Sequence, residues 1–175
     1  MKRCGILIVL LLLTGCASTM PTVVALPPVG ELPGNAQVLP DLGLTVTLPD
    51  QWTLADHSPD AYEWRGPATD DSSSIITLVS QENYPYSPDE AVLVAVRLAG
   101  VDVPAPATAF MVADTLGRKS SGKVGRTRVV ALAWAAPGRT YLLLARWDDS
   151  AAAAQVSALI ASLRPLTAVS PAAGR

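Results

Sequence analysis

Behind Lys2 and Arg3 the chain carries one unbroken apolar run, residues 6–13, which stops at Leu13-Thr14-Gly15-Cys16. This feature decides how much of the chain is available to fold. At about 1.5 Å per residue the run is far shorter than a ~30 Å hydrocarbon core, so it reads as an export leader, not a membrane span. Cleavage after Gly15 leaves 160 of the 175 residues. Cys4 departs with the leader, so any fold must be built without a disulfide within the chain.

Leu13, Thr14, Gly15 and Cys16 fit every position of a lipobox, and the segment resembles a bacterial lipoprotein signal. In that resemblance the thiol of Cys16 is diacylated and the chain is cut just before it. Several acyl chains, at ~0.8 kcal/mol per buried methylene, hold a domain on a bilayer without a spanning helix. The expectation is a signal peptide over 1–15 and a chain anchored to a bacterial cell membrane or outer membrane on its extracytoplasmic face. Ala17 and Ser18 lack the Asp that resembles an inner-membrane retention signal, which leaves outer-membrane sorting open.

Acylation of Cys16 also removes the last free thiol, and with it thiolate catalysis and Cys-ligated zinc. His57 is the one histidine, so no multi-His metal site is expected and no cofactor is implied. Without Lys2 and Arg3 the side chains balance at 11 basic against 15 acidic, a net of −4, which argues against a general nucleic-acid binder. The charges are segregated. Seven basic residues and no acidic one fall between 117 and 147, whereas 17–116 hold 13 acidic residues against Arg65 and Arg97.

Residues 16–40 include Pro21, Pro27, Pro28, Pro33 and Pro40 with a single charge, Glu31, and read as an extended tether of up to ~3.1 Å per residue. The globular domain is expected over 41–166, about 125 residues, and a flexible tail over 167–175. Within the domain, 42–48 alternates like a strand and turns at Pro49-Asp50. Strands are also expected at 61–64 and 75–80, the latter apolar on both faces and therefore covered on both. Ser87-Pro88-Asp89-Glu90 is a capping box with Pro at the first helical position, opening a helix that stops at Gly100. Strands at 110–116 and 124–135 follow, then a hairpin through Pro137-Gly138 into 140–147. A last helix begins after Asp148 or Asp149, with Val156, Leu159, Ile160 and Leu163 on one stripe.

This order predicts an α+β fold: a mostly antiparallel sheet of about six strands with two main helices against it. Leu48-Pro49-Asp50-Gln51-Trp52, the Ser87–Glu90 box, the long hairpin through Trp134 and Tyr141, and the closing Ser162-Leu163-Arg164-Pro165 together resemble the PsbP/Mog1-like α/β/α sandwich family over 41–166. The resemblance implies a binding or assembly accessory, not an enzyme, and carries over no catalytic residue. Fold likeness alone does not assign function.

Several strings invite chemistry. Gly117-Arg118-Lys119-Ser120-Ser121-Gly122-Lys123 opens like a phosphate-binding loop, but Val124 stands where Ser or Thr would hold Mg²⁺ and a strand follows where a helix is needed, so no nucleotide is expected. As a basic hairpin loop, its Arg118, Lys119 and Lys123 are candidates for contact with anionic lipid or an envelope polyanion. Asp56-His57-Ser58 has the letters of a hydrolytic triad on one loop, where neighbouring side chains diverge. Asp70-Asp71 and Asp148-Asp149 suit acid–base work only across a cleft. Tyr84 and Tyr86, stiffened by Pro85 and Pro88, are candidates for a protein partner. The leading expectation is a noncatalytic, lipid-anchored envelope domain that binds another component. The alternatives are a small-ligand carrier, which needs a cavity of at least ~300 Å³, and a carboxylate-dependent hydrolase.

Overall fold

A computed structural model describes residues 35–67 and 74–166, all within one compact unit, Leu32–Arg175. The leader 1–15, Cys16, the tether as far as residue 34, Asp70-Asp71 and the tail lie outside the described residues. The elements run β1 (Ala36–Leu39), a single 3₁₀ turn (Pro40–Leu42), β2 (Leu44–Thr47), β3 (Thr53–Ser58), β4 (Ala61–Arg65), β5 (Ile75–Glu82), α1 (Pro88–Leu98), β6 (Thr108–Val112), β7 (Thr115–Val124), β8 (Thr127–Ala136), β9 (Arg139–Trp147), α2 (Ser150–Ser162) and β10 (Arg164–Pro165).

Seven strands form one antiparallel sheet in the order β3-β4-β5-β9-β8-β7-β6, and β1, β2 and β10 form a second, three-stranded sheet. The α+β class expected from the sequence is therefore present, with seven strands in the main sheet where about six were expected. Period-two alternation sorts each central strand between two cores. On β8, Val129, Ala131 and Ala133 join Ala91, Val92, Ala95 and Val96 of α1. The small alanines on both sides bring helix and sheet close together. The other residues of β8, Leu132 and Trp134, meet the second layer, made of α2 and the small sheet. Ile76, Leu78, Tyr141, Leu143 and Leu159 fill that larger core.

Both helix starts follow from local chemistry. Ser87 accepts from the Glu90 amide, and the Glu90 carboxylate accepts from the Ser87 amide at 3.0 Å, completing the capping box. Asp149 caps α2, accepting from the Ala151 amide at 2.9 Å.

Three readings are corrected by the fold. Residues 110–116 are not one strand, and 117–123 is not a loop. The chain reverses at Ala113-Asp114, whose φ of 47° and 59° suit a tight two-residue hairpin. It then runs straight through 117–123 as the body of β7, and reverses again at Gly125, φ 58°. The glycines of this stretch are small for a reason unrelated to turning. A Cβ on Gly122 would lie 2.3 Å from Val101 Cγ1, and one on Gly117 would lie 2.6 Å from the Ala133 carbonyl oxygen. Second, Asp56-His57-Ser58 lies on β3, an edge strand exposed throughout, where nothing demands apolar alternation. Third, the ordered sheet starts at Ala36, inside the stretch read as tether. β1 pairs along its whole length with β2, and Leu39 is completely buried.

Candidate cleft on the basic half of the sheet

The second layer covers the main sheet unevenly. Toward β6 and β7 it stops at α2, leaving a cleft of about 770 Å³ between the strands and the helix. Its floor follows from register. Lys119, Ser121 and Lys123 of β7 face Leu132, Val130 and Arg128 of β8, each pair directly opposed. All six residues line the cleft. Val156 and Ile160 of α2 form one wall with Trp147, and residues 103–106 close the outer edge, tied to β7 by the Ala105 amide donating to Ser121 O at 2.8 Å. The α2 stripe expected to dock thus serves both core and cleft.

Three cations stand at this cleft. Lys119 Nζ sits 5.4 Å from the centre of the Phe110 ring, a cation–π arrangement. Lys123 and Arg128 are exposed side by side at the β7–β8 turn. The ion pairs formed among the described residues involve Arg65, Arg118 and Arg139, and none of the three cleft cations. An anion entering here would therefore meet charge that no described residue neutralises through an ion pair.

Arg118 is not part of this group. One residue along a strand inverts the face, so Arg118 points to the α1 side and donates through Nε to Asp89 Oδ2 at 3.0 Å in the first turn of α1. The expected trio is divided into Lys119 and Lys123 on the cleft and Arg118 behind it. Arg128 takes the third place. Sequence reasoning passed over it, although hairpin arithmetic about Gly125-Arg126 pairs Val124 with Thr127 and so Lys123 with Arg128.

Tyr84 and Tyr86 meet edge to face, ring centres 5.7 Å apart, but their roles differ. Tyr84 packs against the α1 core, and burial first, then Tyr86, raises its phenol pKa. Tyr86 remains 45% exposed. His57 is exposed; its backbone amide donates to Asp56 Oδ1 at 2.8 Å and its ring lies 5.8 Å from that of Tyr62, so the triad letters converge on nothing. Among the described residues no group of three or more His, Cys, Asp or Glu could hold a metal ion. No described helix is long and apolar enough to cross a membrane. A second cleft of about 320 Å³ lies between α1 and β5–β9, lined by Ile75, Leu98 and Leu144 with Arg146 as its one cation.

No protein-family profile and no curated protein sequence matches the chain. Solved structures do. The Synechocystis PsbP protein, CyanoP, aligns with a TM-score of 0.52 at 12% identity, covering 79% of this chain and 99% of that one. The Saccharomyces cerevisiae Ran-binding protein Mog1p aligns with a TM-score of 0.51 at 10% identity, covering 75% and 94%. A Bacteroides thetaiotaomicron structure matches at a TM-score of 0.47 and 13% identity over 77% of this chain, which spans only 49% of that protein. The likenesses to CyanoP and Mog1p are ones of fold, and they give this chain a PsbP/Mog1-like α+β architecture.

Proposed function

We propose that the mature chain is a noncatalytic binding module of the bacterial envelope, held to a membrane through acyl chains on Cys16 and working through the cleft between β7, β8 and α2. The cleft carries this reading. Its volume, about 770 Å³, falls among ligand-binding pockets, and its cations are left unpaired by the described residues. Mog1p binds Ran on the same architecture, which supports a binding role on this fold without identifying a partner. The ligand-carrying form of the reading is favoured over a partner docked on the tyrosine loop, because Tyr84 is committed to the α1 core. The membrane anchor rests on Leu13-Thr14-Gly15-Cys16.

Two measurements in intact cells test the proposal. The wild-type chain is expected in the membrane fraction, with acylated Cys16 seen by mass spectrometry, and Cys16→Ser is expected to release it. Photocrosslinkers placed at Ser157 and Lys119 are expected to give a reproducible adduct that one at Asp60, on the far edge of the sheet, does not. An unmodified cysteine in a membrane-free chain overturns the anchor. Adducts absent from the cleft and present at Asp60 overturn the working surface.

A further inference from the structure

Deepening that reading, and resting on it for the choice of surface, we infer that the cleft takes an acyl chain carrying one anionic headgroup, with the head between Lys123 and Arg128 and the tail along Val130 and Leu132. Charge complementarity argues for the head. Lys123 and Arg128 are a directly opposed cross-strand pair of like charge, exposed at the cleft and without an ion-pair partner among the described residues. Opposed like charges destabilise a strand pair, and an anion between them removes that cost.

The register then gives the ligand a direction. Moving inward from this pair, β8 presents Val130 and then Leu132, while Val156 and Ile160 of α2 face them across the cleft. From Lys123 to Lys119 the strand advances about 13 Å at ~3.3 Å per residue, a path along which β8 and α2 present apolar side chains and β7 adds the small Ser121. At its inner end the third cation is already engaged with the Phe110 ring. One end of the cleft thus favours charge and the remainder favours methylenes. A small hydrophilic anion would leave the floor unused, and a neutral hydrocarbon would leave the cations unused.

The test uses the full chain in dodecyl maltoside, whose neutral head on a twelve-carbon tail serves as the background. Dodecyl phosphate and laurate are added as probes, with glycerol 3-phosphate as a head without a tail and dodecyltrimethylammonium as a tail with the wrong charge. Thermal midpoint and tryptophan fluorescence are read together. We expect saturable stabilisation by dodecyl phosphate, laurate or both, which separates phosphate from carboxylate heads, and none by the two controls. Lys123→Glu with Arg128→Glu should weaken binding at least about tenfold, the scale of a lost charged hydrogen bond. Ser157→Trp, an exposed α2 position beside the cleft, should block binding while leaving the far-ultraviolet spectrum unchanged.

Equal binding of glycerol 3-phosphate would reduce the site to a bare anion contact and overturn the inference, as would equal binding of dodecyltrimethylammonium or full affinity in the charge-reversed variant. If neither probe binds while cleft-dependent crosslinks persist in cells, the ligand class fails and the binding module stands. If the amphiphile binds but Cys16 carries no acyl group, the anchor fails and the ligand class stands.

Discussion

At the scale of single residues, the two glycines of β7 stand where the structure leaves no room for a side chain. Gly122→Ala places a methyl against the branched carbons of Val101 and should destabilise the protein by about 1–3 kcal/mol, the usual range for overpacking, in urea titrations. Gly117→Ala meets a backbone oxygen, which cannot rotate away, and should cost no less. Tyr141 gives a second case. Its hydroxyl donates to Leu42 O at 2.6 Å in the interior, so Tyr141→Phe strands a buried carbonyl and should cost about 1–3 kcal/mol in the same titrations. Glu90 adds a pH signature. Hydrogen bonds from the Ser87 hydroxyl and amide hold its carboxyl below the ordinary value of 4.5. A group depressed on folding stabilises above its unfolded pKa and loses that contribution as pH falls through the folded one. Glu90→Gln should therefore narrow the difference between urea midpoints measured at pH 6 and at pH 3. A difference equal to that of the wild type would show that the carboxylate is not held by the cap.

At the scale of elements, the two helices were legible because their signals are local. Ser87-Pro88-Asp89-Glu90 and Asp149 act on amides within three residues, so neighbouring letters suffice. The β6–β7–β8 meander was not, because its first reversal falls on Ala113-Asp114 without a glycine, while its straight part carries glycines and serines typical of turns. Ala113 and Asp114 take the left-handed turn, while Gly117, Ser120, Ser121 and Gly122 sit in a strand that must pass beneath α1 and Val101. The same strand alternation separated Arg118 from Lys119 and Lys123. Because the Arg118–Asp89 pair is partly exposed, a double-mutant cycle to Ala should return a coupling of less than about 1 kcal/mol. A larger value would mean that α1 is pinned to β7 by charge more than by its alanine-lined contact.

At the scale of the whole molecule, the second layer is fastened to the main sheet by the polar ends of otherwise buried aromatics. Trp64 Nε1 donates to Gln37 of β1, Trp52 Nε1 to Gln155 of α2, and Tyr141 to the carbonyl of Leu42. Trp64 lies on β4, Tyr141 on β9 and Trp52 just before β3, whereas the cleft opens over β7 and β8. The boundary of the folded unit follows from the same contacts. Leu39, in a stretch that reads as tether, is completely buried, and Leu39→Ala should cost about 2–5 kcal/mol by thermal or urea denaturation. A loss below about 0.5 kcal/mol would return 36–40 to the tether. Nothing in the letters Ala36-Gln37-Val38-Leu39 announces this, since their worth depends on pairing with β2 across the turn and on the indole of Trp64, 27 residues beyond Gln37.

The lipobox expectation, and with it the loss of a free thiol, rests on the sequence alone. The capped helices and the α+β class could be read from the order of residues, because each depends on neighbours along the chain or on its pattern of elements. The cleft could not. It exists because a strand brings Lys119 and Lys123 to one face and sends Arg118 to the other, because a two-residue turn sets Arg128 opposite Lys123, and because a layer anchored on the far strands stops short of them. Each of these is a relation between positions brought together by pairing and packing, and long-range register is the information a one-dimensional pattern carries least.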